Sequence, residues 1–259
     1  MKVSVSRIKL FKACRRAYEL KYVENMYPIQ DAEPLVTGKN FHEKVEDLYK
    51  TGSFEKDNDK ETAMAMAFEK YVYPHIKVVE AEKWMEKRFS DYQDDDILIG
   101  KIDGIADDGM IVEYKTTSNT NLDEYEYDLA WDEQILAYMY LSGKNLVHYV
   151  IIRKPNIRQK KNESDEDFFK RMVEWYDEDT RDKIRIVDLM RTDYEIQDFK
   201  RDLEAVVDEI ESAEVNDCYY KNTSYCWRWG RRCEYAQICL NYDPDGTYVD
   251  YERREPHGN

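Results

Sequence analysis

The sequence predicts an α/β protein of the α+β kind: a small mixed sheet flanked by helices, with a helical N-terminal region and a Cys-rich tail. Three observations carry this. Apolar runs rich in β-branched residues, such as Leu146-Val147-His148-Tyr149-Val150-Ile151-Ile152, stop at strand length. Longer segments repeat apolar residues at helical spacing. Between the strand-like runs lie Asp94-Asp95-Asp96 and Asp107-Asp108-Gly109, which have the composition of turns.

Ser4 or Ser6 can cap a first helix, whose apolar positions Ile8, Leu10, Phe11, Tyr18, Leu20 and Tyr22 carry it to about Val23. Pro28 and Pro34 then break the pattern. A second helix is expected over 35–49 and a third over 60–72, with Ala63, Met64, Ala67, Phe68 and Tyr71 facing inward. Three strands follow, over 78–89, 97–106 and 110–114, joined as antiparallel hairpins. A strongly periodic helix over 129–141 leads to a strand over 146–152 that ends before Pro155. Further along, 165–176 reads as helix, 184–190 as strand and 196–210 as helix, and the tail after Ser212 has no clear period. The whole of 1–259 is read as one domain, with a helical region 1–76, a core 77–212 and a Cys-rich tail 213–259.

Composition narrows the function classes. No apolar run approaches the roughly 20 residues of a membrane helix, and the polar, basic N-terminus lacks a signal-peptide core, so the expectation is a cytoplasmic protein of a bacterial or phage-infected cell with no membrane partner. A formal charge of −16 excludes a surface that binds polyanions everywhere but permits a local basic strip. The 22 tyrosines are mostly core or amphipathic surface residues, some of them suited to stacking on bases. Five cysteines, an odd number, fit a secreted disulfide framework poorly and raise the question of metal binding.

The chemistry concentrates on two adjacent strands. Asp103 lies in Gly100-Lys101-Ile102-Asp103, and Glu113 and Lys115 lie in Ile111-Val112-Glu113-Tyr114-Lys115. Residues two apart on a strand share a face, so Glu113 and Lys115 project together and a hairpin brings Asp103 alongside. Two carboxylates at one point suit Mg²⁺ or Mn²⁺, and a lysine beside them can orient or deprotonate a water for phosphodiester hydrolysis. The same spacing also fits an ordinary Glu/Lys pair on an exposed hairpin.

These residues belong to a longer series. Gly38-Lys39-Asn40-Phe41-His42 has the form G-x-x-x-H, Glu82 lies in the first strand, and Gly100-Lys101-Ile102-Asp103 and Glu113-Tyr114-Lys115-Thr116 follow in order. Gln134-Ile135-Leu136-Ala137-Tyr138 then has the form Q-x-x-x-Y. In this order the chain resembles the RecB-like branch of the PD-(D/E)XK nuclease superfamily, which includes CRISPR-associated adaptation nucleases and many phage exonucleases. The resemblance implies a restriction-endonuclease-like core and a DNA nuclease acting at single- or double-stranded ends in recombination, replication or repair. A helicase or recombination protein is the partner class it suggests. It implies that His42, Asp103 and Glu113, with the Tyr114 carbonyl, ligate the metal, that Lys115 is the catalytic lysine, and that Gln134 and Tyr138 support the site. Glu82 is left between a supporting role and a plain exposed strand residue.

The resemblance extends to the cysteines. Cys14, in Cys14-Arg15-Arg16-Ala17-Tyr18, matches the early C-x-x-x-[FY] element of RecB-like nucleases that carry a [4Fe-4S] cluster, with Cys226, Cys233 and Cys239 as the three late ligands. Cys218 is an alternative ligand but is expected to be a free thiol; a structural zinc and unligated thiols are the other readings. Gathering the four would also collect Arg15, Arg16, Arg228, Arg231 and Arg232 into a basic strip. Arg158, Lys160 and Lys161 are a second candidate for backbone contact. The competing function is a non-catalytic DNA-binding or assembly subunit on a nuclease-like scaffold.

Overall fold

The computed structural model describes residues 1–30, 32–93, 95–228, 230–240, 248 and 250–255. In chain order the elements are β1 (Lys2–Ser4), α1 (Val5–Ala13), α2 (Arg15–Tyr18), a π-helical turn (Glu19–Val23), β2 (Met26–Pro28), α3 (Glu33–Thr51) and α4 (Lys60–Tyr71). Then come β3 (Val78–Arg88), β4 (Ile97–Ala106), β5 (Ile111–Thr117), α5 (Leu122–Asp128), a 3₁₀ turn (Leu129–Trp131) and α6 (Glu133–Ser142). The chain continues through β6 (Leu146–Arg153), α7 (Asp165–Asp177), β7 (Ile184–Met190), α8 (Asp193–Asn216), β8 (Trp227–Arg228), β9 (Arg231–Arg232), α9 (Ala236–Leu240) and β10 (Tyr251–Arg253). Asp94 of the expected turn, Trp229 and His257 lie outside the described residues. Among the described residues no helix is long and apolar enough to cross a membrane.

The chain divides into two compact units, one of Met1–Asp31, Glu86–Ile99 and Asp198–Asn259, the other of Ala32–Met85 and Gly100–Gln197. The second unit holds a mixed sheet in the order β4-β5-β6-β7: β4 and β5 are antiparallel, β5 and β6 parallel, β6 and β7 antiparallel. A parallel pair needs a crossover, and α5 and α6 supply it between β5 and β6. β3 pairs with β4. Against this sheet α3, α4 and α7 build a core from Phe41, Phe68, Tyr114, Val150, Met172 and Tyr176.

In the first unit β1 runs parallel to the start of β4, with Val3 opposite Leu98, and β2 pairs antiparallel with β10. Its core joins the two ends of the chain: Phe11, Tyr18 and Leu20 pack with Ile210, Tyr235 and Ile238. Two expectations change here. The first helix does not run unbroken to Val23, because Cys14 takes an extended backbone (φ −163°, ψ 112°) between α1 and α2. The tail, aperiodic in sequence, nevertheless folds, because single side chains such as Tyr235 and Ile238 are buried from short elements rather than from one amphipathic face.

Candidate active site

The site begins where β4 and β5 part. Their ladder pairs Gly104 with Val112 and Ile105 with Ile111, and just beyond it the Tyr114 amide donates to Asp103 Oδ2 at 2.7 Å instead of to a strand carbonyl. The other oxygen, Oδ1, lies 3.2 Å from His42 Nδ1. His42 is fixed by its helix: Phe41, the residue before it, meets Phe68 edge-on at 6.1 Å, and Phe68 meets Tyr114 at 5.1 Å. Burial works against charge on Asp103, but His42, Lys115 and the Tyr114 amide outweigh it and hold its carboxyl below the usual range. Burial likewise works to lower the His42 pKa, and Asp103 and Glu113 reverse that into a net rise.

Glu113 and Lys115 share a face of β5, as the strand period requires. Lys115 Nζ stands 2.5 Å from Glu113 Oε1, while Glu113 Oε2 is buried and has no hydrogen-bond partner. The alternative of an ordinary pair on an exposed hairpin does not fit, since Glu113 is only 2% exposed. Burial first, and then the charge of Asp103, push its carboxyl up to about 8. For Lys115 burial opposes the charge, but Glu113 and Asp103 win and raise its pKa.

Glu82 completes the cluster. His42, Glu82 and Asp103 each offer one ligand atom, and these atoms lie within 4.8 Å of one another. Glu82 reaches this point through a left-handed backbone (φ 54°) inside β3, a conformation that costs a non-glycine residue roughly 1–3 kcal/mol and re-aims its side chain. No residue pattern announces such a kink. The Glu82 carboxylate is held by the Lys101 ammonium, a residue given no role from sequence. Of the expected ligand set, then, His42 and Asp103 converge with Glu82, and Glu113 stands beside them in the grip of Lys115. Tyr114 touches Asp103 through its amide.

The donor set fits a hard divalent cation. Two carboxylates and one imidazole converge, and the buried Glu113 carries an orphaned carboxylate oxygen, a group that a cation would satisfy.

Gln134 and Tyr138 are one turn apart on α6 and bonded to each other, Gln134 Nε2 donating to Tyr138 Oη at 2.6 Å. Tyr138 Oη in turn donates to the Lys101 carbonyl at 2.8 Å, so the pair anchors β4 two residues from Asp103. Gly100 makes this approach feasible: a Cβ there would lie 2.8 Å from Leu141 Cδ1 and 3.3 Å from Tyr138 Cε1. Gly38 is under less pressure, with a Cβ meeting Thr116 Oγ1 at an ordinary 3.6 Å. The sequence reading passed over α5, which carries Tyr125. Burial raises the Tyr125 phenol pKa, against the Tyr149 hydrogen bond and the charge of Lys115. Its helix had a signal: Asn121 caps it, accepting from the Glu124 amide at 3.2 Å, with Asp123 and Glu124 in the first turn.

The cysteines lie in the first unit. Cys14, at the break between α1 and α2, accepts from the Asn222 amide at 3.4 Å, and Cys233 accepts from the Tyr235 amide at 3.4 Å. The Cys233 amide donates to the Cys226 carbonyl at 3.0 Å. Burial, and after it Glu234, Cys14 and Cys239, push the Cys233 thiol up to about 11; burial also raises that of Cys239, with Cys14 and Cys226 adding to it. None of the cysteines is in a disulfide. Cys218 is exposed just past α8. The expected basic strip is altered: Arg15 pairs with Glu209 and Arg16 with Glu19 and Glu24, while Arg231 and Arg232 stay exposed on β9. In the loop with Arg158, Lys160 and Lys161, Glu163 accepts from the Lys160 amide and from Arg171, an ordinary loop clasp.

A mixed sheet whose diverging strands present Asp103, Glu113 and Lys115 is a frame that suits a metal-dependent nuclease. The profile of the PD-(D/E)XK nuclease superfamily matches residues 2–94 and 69–240, and the chain belongs to that superfamily. Among solved structures, a candidate exonuclease from Eubacterium rectale shares the fold at 13% identity, over 90% of this chain and 86% of that one, with a TM-score of 0.53. An alkaline exonuclease from Laribacter hongkongensis matches at 14% identity over 83% and 90% of the two chains (TM-score 0.40). A phage-related exonuclease from Haemophilus somnus matches at 13% over 77% and 93% (TM-score 0.39). No curated protein matches the sequence.

Proposed function

We propose that this nuclease is a RecB-like DNA exonuclease or end-processing enzyme that takes Mg²⁺ or Mn²⁺ at His42, Glu82, Asp103 and Glu113. The observation that carries the reading is the buried Glu113 carboxylate, with one oxygen held by Lys115 and the other unpartnered, beside the converging His42, Glu82 and Asp103. A divalent cation held by these side chains supplies Lewis acidity and a more acidic water. Lys115, on the face of Glu113, orients the attacking water with its ammonium. Asp103 stays ionised through His42 and the Tyr114 amide and so is ready to accept a cation. Gln134 and Tyr138 hold the β4 backbone that carries Asp103.

The test uses end-labelled linear duplex, single-stranded and circular DNA, incubated with Mg²⁺ or Mn²⁺, with product lengths followed over time. Progressive release of short products from linear DNA, with circles left intact, is the expected result. Cutting of circles as fast as of linear strands would assign an endonuclease instead.

The second part of the proposal is a [4Fe-4S] cluster on Cys14, Cys226, Cys233 and Cys239, acting as a structural clasp. Its support is the pattern of one early and three late cysteines, with Cys14 and Cys233 each accepting a backbone N–H of the kind that tunes cluster sulfurs. Among the described residues no three cysteine sulfurs fall within 4.8 Å of one another, which is wider than one tetrahedral zinc with bonds of about 2.3 Å would hold them.

A further inference from the structure

Three carboxylates, Glu82, Asp103 and Glu113, face two ammonium groups, Lys101 and Lys115. The two lysines are held differently. Lys115 contacts the buried Glu113 on its own strand, whereas Lys101 is 43% exposed and reaches from β4 to Glu82 on β3. The Lys101 backbone is pinned, because its carbonyl accepts the Tyr138 hydroxyl at 2.8 Å. Its four-carbon stem leaves the ammonium free to swing about that fixed point. Lys101 and Asp103 are two residues apart on β4 and so project on the same side of the strand.

We propose that Lys101 is an exchangeable counter-ion of the site: it holds Glu82 until a divalent cation takes that carboxylate, and it then turns to a phosphate of the nucleic-acid substrate. The inference rests on the metal-dependent nuclease reading given above. Its logic is charge balance. A divalent cation at Glu82 brings two positive charges to the carboxylate that Lys101 holds, so the Lys101 ammonium becomes surplus there. A phosphodiester brings one negative charge to the same place and is the matching partner for a lysine acting as a point charge. The left-handed kink at Glu82 fits this role, since it directs the carboxylate to a position that Lys101 and the cluster of His42 and Asp103 both reach.

The experiment measures Mn²⁺ binding to metal-free protein by electron paramagnetic resonance, without substrate, for the parent chain, Lys101→Met, Glu82→Gln, the double variant and Asp103→Asn. Lys101→Met is expected to bind Mn²⁺ about three- to tenfold more tightly, because it removes a competing cation, whereas Glu82→Gln binds it more weakly. In the Glu82→Gln background the Lys101→Met change is expected to have no further effect. A second readout is anisotropy of a labelled twelve-nucleotide DNA strand in the Lys115→Met background, where Mn²⁺ should tighten binding and Lys101→Met should abolish that gain. Unchanged or weaker Mn²⁺ binding by Lys101→Met, while Asp103→Asn loses Mn²⁺, would overturn the role of Lys101 and leave the metal site standing. A parent chain that binds no Mn²⁺, and is indistinguishable from Asp103→Asn, would overturn both.

Discussion

Lys115 Nζ lies 2.5 Å from Glu113 Oε1, and the second oxygen of that buried carboxylate has no partner. Burial and Asp103 together push this carboxyl up to about 8, and a divalent cation would favour its ionised form.

His42→Ala removes the imidazole 3.2 Å from Asp103. Metal affinity is expected to fall, with cleavage partly restored at high Mn²⁺, because a nitrogen ligand suits Mn²⁺ better than Mg²⁺. The check is the metal concentration for half-maximal cleavage with each ion; an unchanged value would remove His42 from the ligand set.

Gly100→Ala introduces a Cβ 3.3 Å from Tyr138 Cε1 and closer still to Leu141. Leu141 can turn aside, but the Tyr138 ring is tied to Gln134 and to the Lys101 carbonyl. A loss of about 1–3 kcal/mol in unfolding free energy is expected, together with reduced turnover. Denaturant titration and initial rates report the two effects separately.

His148 lies between Asp188 (Nδ1, 2.6 Å) and Asp108 (Nε2, 2.8 Å). Burial works to lower its pKa, but the two carboxylates outweigh it and the net shift is upward. A pKa raised on folding gives stability that is complete below the unfolded value, about 6.5, and is lost as pH rises through the folded value. The melting temperature of the parent chain should therefore exceed that of His148→Gln most at pH 6 and least near pH 9. A gap that widens with pH would contradict the ion-pair account.

Anaerobically purified protein should be brown, with iron and sulfide near four per chain by analogy with known clusters. Cys14→Ser is expected to bleach it and to increase protease cleavage of the tail, whereas Cys218→Ser, at an exposed position, should do neither. Colourless protein with one zinc and no sulfide would reject the cluster.

The parts of the fold legible in the sequence are those where one period controls a whole element. Residues 184–190 were expected as a strand and form β7 with the same limits, and beyond the buried Ile184 the half-buried Arg185, Val187 and Leu189 alternate with the exposed Ile186, Asp188 and Met190. Asp103, Glu113 and Lys115 were legible for the same reason: the strand period brings two of them to one face and a hairpin adds the third. What escaped were features set by tertiary contacts. Glu82 turns toward His42 only through a backbone kink, Cys14 interrupts a helix that apolar spacing alone would continue, and Tyr235 is buried by partners far away in sequence. Residues 129–141 read as one helix, but the chain makes a 3₁₀ turn and restarts at Asp132, whose side chain caps α6 by accepting from the Gln134 amide. That acceptor was visible in sequence and was outweighed by the apolar spacing.

Single-turnover cleavage of end-labelled linear DNA by Asp103→Ala, Glu113→Ala and Lys115→Ala, with circular dichroism confirming that each remains folded, tests the assigned chemistry most directly. Each variant is expected to lose at least about a hundredfold in rate while still binding DNA, because each loses a metal-holding or water-orienting group and not a substrate contact. Cleavage at the parent rate by any two of the three would show that the chemistry takes place elsewhere on the molecule.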